Sequence, residues 1–93
     1  MSNTNINTYI KAQLKLGNCL CGYYINGPRC KGMIVNFDNE TVILQLRDYD
    51  MGYYCEQFPI ELIGVNHTNS EYNTRWYFSS RERNMIMMKE GLL

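Results

Sequence analysis

The stretch YYINGPRCKGMIVNFDNETVIL, from Tyr23 to Leu44, decides the fold. Asn26-Gly27-Pro28 breaks an extended pattern, because Asn and Gly accept positive φ and Pro cannot continue a hydrogen-bonded ladder. Lys31 to Phe37 resumes it, Asn36 to Asn39 offers a second turn, and Thr41 to Leu46 is a β-branched strand. Upstream, from Asn18, the period is two: Leu20, Gly22 and Tyr24 point one way and Cys19, Cys21, Tyr23 and Ile25 the other. Gly32 suits a strongly bent strand that must wrap without a side-chain clash. Phe37 suits the interior, and Asp38 can accept backbone N–H groups of the following turn.

Downstream, Arg47 to Gly52 reads as a polar loop, and Tyr53 to Phe58 as a strand that Pro59 interrupts. Ile60 to Val65 reads as the last short strand. Five strands in succession predict a mainly β fold, a closed or nearly closed five-stranded barrel with few exposed edges. Before it, Asn7 or Thr8 suits a helix N-cap, Tyr9 to Leu16 a helix of about two turns, and Gly17 its stop. Ile10 and Leu14 share one face of that helix, Lys11 and Lys15 another.

After the barrel, His67 to Thr74 reads as a polar linker and Arg75-Trp76-Tyr77-Phe78 as an aromatic cluster. Ser79 or Ser80 then caps a terminal helix, with Glu82 placed for a capping box if Ser79 is the cap. The division expected is a barrel with its N-terminal helix over 1–66 and an extension over 67–93. The aromatic cluster either packs on the barrel or serves as a subunit or partner contact, a role in which Trp, Tyr and Arg are over-represented.

A chain of 93 residues suits one modest core. Its 45% hydrophobic and 13% aromatic content is that of a folded protein rather than a disordered one. Nine basic against nine acidic residues cancel, so binding to nucleic acid has to rest on local patches. No charged segment followed by an apolar run opens the sequence, and no run is long enough to span a bilayer, so a cytoplasmic, non-membrane protein is expected. The four cysteines, Cys19, Cys21, Cys30 and Cys55, are then expected reduced, and their spacing is not that of paired zinc ligands; neither metal nor cofactor is expected. His67, the sole histidine, sits in a polar loop without ligand-like neighbours. With no activated nucleophile pair, phosphate loop or helical His pair, the sequence does not read as an enzyme.

Asn26-Gly27, Gly32 and Phe37-Asp38, followed by Val42-Ile43-Leu44, stand at the spacing of the first signature of the Sm-like family. Over residues 8–65 the chain resembles that family, and within it the Hfq branch of bacterial RNA chaperones. The resemblance implies an SH3-type five-stranded barrel, a homo-oligomeric, hexameric ring closed by pairing of the fourth and fifth strands, and binding of single-stranded RNA. It points to three patches. Tyr23, Tyr24, Arg29, Cys30 and Lys31 surround the first turn, where Tyr would stack on bases and the cations meet phosphate. Asn39, Gln57 and Phe58 correspond to a pore-side uridine pocket. Lys11 and Lys15 correspond to a rim. Each also has a plainer reading, as core or as solvated surface. The chain departs from the family where Glu56-Gln57-Phe58-Pro59-Ile60 replaces a Tyr-Lys-His segment, and where Asn39-Glu40-Thr41 replaces a Gln and a stacking aromatic. The alternative function is a ring-forming scaffold of the same fold that has lost RNA and docks a protein partner through residues 75–93.

Overall fold

The computed structural model describes residues 9–25, 27–48, 50, 52–64 and 72–93. Five strands, β1 (Cys19–Tyr24), β2 (Arg29–Phe37), β3 (Thr41–Asp48), β4 (Gly52–Pro59) and β5 (Thr74–Tyr77), form one antiparallel sheet in the order β4-β3-β2-β1-β5. The sheet curls strongly into a half-barrel. A β-bulge between Ile34 and Asn36 bends β2. At Gly32 a Cβ would lie only 2.9 Å from Leu44 Cδ1 and 3.1 Å from Trp76 Cη2, so the missing side chain lets the sheet fold over its own interior.

Strand alternation sorts the side chains. Leu20, Ile34, Val42, Leu44, Leu46, Phe58 and Trp76 are all buried on the concave side, each such burial contributing about 1.5–3 kcal/mol. The two edge strands meet across that side. Phe58 of β4 stacks on Trp76 of β5 with centroids 6.2 Å apart, and Thr74 Oγ1 donates to Glu56 Oε1 at 3.0 Å. Trp76 Nε1 in turn donates to Thr74 Oγ1 at 3.0 Å. Side chains, rather than a backbone ladder, thus join the edges of the half-barrel.

The fifth strand is not Ile60 to Val65, as its apolar character suggests. Pro59, at φ −65°, leads into a short 3-10 helix, η1 (Ile60–Leu62), closed by Ile63 N–H donating to Ile60 O at 3.1 Å. At that period residues three apart eclipse, so Ile60 and Ile63 both enter the core. Val65 lies outside the described residues. The strand comes instead from the aromatic cluster: Thr74, Arg75, Trp76 and Tyr77 are all buried, with no alternation, because β5 is covered on both faces. On the convex face the cover is helix α1 (Ser80–Lys89), where Tyr23, Tyr77 and Met87 form a second cluster with the two rings nearly parallel, 6.3 Å apart. Ser79 is the N-cap, its Oγ accepting from Glu82 N–H at 3.1 Å.

The N-terminal segment differs from a helix running to Leu16. Residues 9–11 are helical, 12–13 form a turn and 14–15 take no regular structure. Gly17 takes its left-handed φ of 86° in a separate turn, where its N–H is already bound to Ile34 O at 2.8 Å. Docking of 17–18 against β2 therefore outcompetes helix propagation. Ile10 and Leu14 are nonetheless both buried in the main core. The proposed caps Asn7 and Thr8, the turn residue Asn26, and His67 lie outside the described residues.

Candidate functional site

β2 is shared between two partners. It pairs with β1 from Arg29 to Met33 and with β3 only from Met33 to Phe37. β3, by contrast, pairs with β4 along its whole length, from Thr41–Pro59 to Asp48–Gly52. The sheet therefore splits between the first half of β2 and the last residues of β3. Ile34 exchanges hydrogen bonds with Gly17 and Asn18 on the β1 side, so alternation turns the backbone groups of Arg29 and Lys31 toward the split. The β2–β3 ladder stops at Met33–Gln45, short of both.

A cavity of about 350 Å³ occupies the split, lined by Tyr24, Pro28, Arg29, Cys30, Lys31, Leu46 and Arg47. It is cationic on both walls. The register sets Arg47 opposite Tyr53, whose ring is 68% exposed, so an open aromatic face stands beside a cation next to the cavity.

Of the five residues expected around the first turn, four line this cavity and one does not. Tyr24 is half-buried, and its hydroxyl lies 2.8 Å from that of Tyr54; burial first, and then this contact, hold its pKa well above the ordinary phenol value. Cys30 is pushed up to about 12, mostly by burial and next by the Glu56 carboxylate, so it remains a thiol. Tyr23 is the exception. It faces the other side of β1, only 2% exposed beneath α1, and donates its hydroxyl to Glu90 Oε2 at 2.8 Å. With Tyr77 against one face of its ring and the helix over it, Tyr23 is a core residue and not a stacking platform.

The other two patches are rearranged. Phe58 lies in the core against Trp76, and Gln57, its neighbour on the strand, faces the convex side, so Asn39, Gln57 and Phe58 do not converge. Lys11 Nζ instead donates to Asn39 Oδ1, tying the N-terminal turn to the β2–β3 turn. That turn is built as expected: Asp38 Oδ1 accepts from the N–H groups of Glu40 and Thr41, both at 2.8 Å, which holds its carboxyl below the usual range. Lys15 is exposed, away from these contacts.

Arg47 and Tyr53 were the residues that sequence reasoning missed. Arg47 belongs to β3 and not to a loop beginning at that residue, and Tyr53 lies just beyond the turn; the signal available was the hairpin symmetry about residues 48–52, which pairs them cross-strand. No group of three or more His, Cys, Asp or Glu side chains that could hold a metal ion occurs among the described residues. No helix there is long and apolar enough to cross a membrane. The sequence matches no protein-family model and no curated protein.

Proposed function

We propose that this chain is an Sm-like protein that binds single-stranded RNA at the split between β2 and β3. The observation that carries this reading is the cavity walled by Arg29, Lys31 and Arg47, with the open Tyr53 ring cross-strand from Arg47. Cations meet phosphates and an exposed aromatic stacks on a base, the combination that single strands need and a duplex does not. The strand order and the bent β2 agree with the resemblance to that family. Assembly into a homohexameric ring belongs to the same proposal, through the outer edges of β4 and β5.

Fluorescence anisotropy with labelled oligo(A) and oligo(U), at low and at physiological salt, tests the RNA part, and native mass spectrometry the ring. Binding of either oligomer that weakens with salt is expected; no binding at low salt refutes the reading.

The scaffold alternative is favoured by the zero net charge and by the burial of Tyr23 and Phe58. Removing residues 75–93 does not separate the two readings, since it removes β5 with the helix. The double variant Arg29→Ala/Lys31→Ala does: it abolishes RNA binding while leaving the native mass unchanged if RNA is the ligand.

A further inference from the structure

Two arginines are largely buried, and they are held differently. Arg75, 9% exposed, donates Nη1 to the carbonyls of Tyr72 at 3.0 Å and Thr74 at 3.2 Å. Arg83, on α1 and 7% exposed, donates Nε to Asn84 Oδ1 at 3.1 Å; among the described residues the one buried side-chain polar atom without a partner is Tyr77 Oη, so the terminal nitrogens of Arg83 are those that reach water. A guanidinium keeps its charge at any ordinary pH, and one that is enclosed except at its tip presents that charge in one direction. What compensates such a group is an anion or a set of oxygen acceptors.

The surroundings supply more positive charge instead. Arg83 shares a second cavity, of about 260 Å³, with Arg29, Cys30 and Lys31. Arg29 and Lys31 thus form a ridge between the split and this hollow beside α1. The Cys30 thiol is near enough to feel both the Glu56 carboxylate and, more weakly, the Arg83 cation. Three cations converge on one hollow from two elements.

We propose that Arg83, Arg29 and Lys31 form a phosphate-binding site between α1 and β2. Arg83 is the fixed member, held by the helix and by Asn84; Arg29 and Lys31 are exposed and close on the oxyanion from the solvent side. The guanidinium fork matches two phosphate oxygens, and the lysine contributes a mobile point charge. The site goes beyond the RNA reading and does not depend on it: the same oxygens belong to a strand's backbone or to a free phosphate.

The test uses the full chain, with Arg83→Gln and the surface variant Arg29→Gln. Melting is followed in sodium phosphate against sodium chloride of equal ionic strength, and the Arg83 Nε–H cross-peak is followed by NMR during phosphate titration. Phosphate is expected to raise the wild-type melting temperature above chloride and to shift that cross-peak. Phosphate affinity should fall about ten- to a hundredfold in either variant, the loss of one charge-assisted contact. Should Arg83→Gln fail to fold, Arg29→Gln and the wild-type cross-peak decide the matter. Equal melting in the two salts, an unmoved cross-peak, or full phosphate response in the variants overturns the site. Oligo(A) anisotropy then names the source. Weaker binding in Arg83→Gln means that the phosphate is the strand's own; unchanged or absent RNA binding, with phosphate response present in wild type and lost in the variant, means that a free phosphate group is the ligand.

Discussion

Gly22→Ala tests the origin of the fifth strand more directly than any other substitution. A Cβ at this position would stand 2.5 Å from the carbonyl oxygen of Arg75 and 2.6 and 2.8 Å from Trp76 Cε3 and Cζ3. Neither obstacle can rotate away. The carbonyl belongs to a strand held in register by the Tyr23–Arg75 pair, and the indole is 3% exposed, stacked on Phe58 and hydrogen-bonded through Nε1. Overpacking of a filled core costs about 1–3 kcal/mol, and a clash with backbone belongs at the upper end. A loss of about 3 kcal/mol lowers Tm by roughly 12–24 °C in a domain of this size. The assay is urea unfolding followed by fluorescence of the single tryptophan, Trp76, with melting by circular dichroism alongside. Gly32→Ala is the internal comparison: its obstacles, Leu44 Cδ1 and Cβ and Trp76 Cη2, stand at 2.9, 3.0 and 3.1 Å, and none is backbone, so its loss should be smaller. A Gly22→Ala protein within about 0.5 kcal/mol of wild type, the scale of an ordinary surface change, refutes the placement of β5 against β1.

At the split, Arg47→Ala should weaken oligo(A) binding and flatten its salt dependence by about one ion, whereas Tyr53→Ala should cost about 1–3 kcal/mol with the slope unchanged; anisotropy over a salt series reads both. Asp38 has a lowered pKa in the folded chain, so its contribution is present above the unfolded value of about 3.9 and is lost as pH falls through the folded one. Wild type should therefore exceed Asp38→Asn in stability at neutral pH, with the gap closing in acid; a gap that widens there contradicts the turn assignment. Alkylation at mild alkaline pH, followed by peptide mass mapping, should label the exposed Cys19 and Cys55 well before Cys30, whose thiol is buried and raised to about 12.

The first three strands could be read from the sequence because each follows a single rule. Alternation set their faces, Asp38 fixed its own turn, and Gly32 marked the bend. The errors lie where two elements act on one segment. Thr74 to Tyr77 shows no alternation because the half-barrel covers one face and α1 the other, and a strand buried on both sides has no period-two signature. Ile60 to Ile63 has the composition of a strand, but Pro59 and a three-residue period make it a turn. The same cause displaced the site. Tyr23 and Tyr24 are adjacent and chemically alike, and only the position of α1 makes one of them core and the other a cavity wall. Arg83 was invisible as a site residue for an equivalent reason: nothing in Ser80–Lys89 says which sheet residues the helix will lie beside.

The two outer edges on which a ring would depend are not equivalent. β4 offers eight residues, with β3 along one side only. β5 offers four, and its outward backbone groups are those of Thr74 and Trp76, since Arg75 and Tyr77 face β1. Both outward carbonyls already have donors within the chain: Thr74 O accepts from Arg75 Nη1 at 3.2 Å, and Trp76 O accepts from Gly64 N–H at 2.8 Å. A neighbouring β4 would therefore find N–H donors at this edge, but its own donors would have to compete for carbonyls in use. Natural sheets blunt their edges in this manner to prevent indiscriminate pairing. The proposed ring consequently has to draw stability from side chains flanking β4 and β5 or from release of the Gly64 contact. The oligomeric state would then depend on the Gly64 contact as well as on the strands.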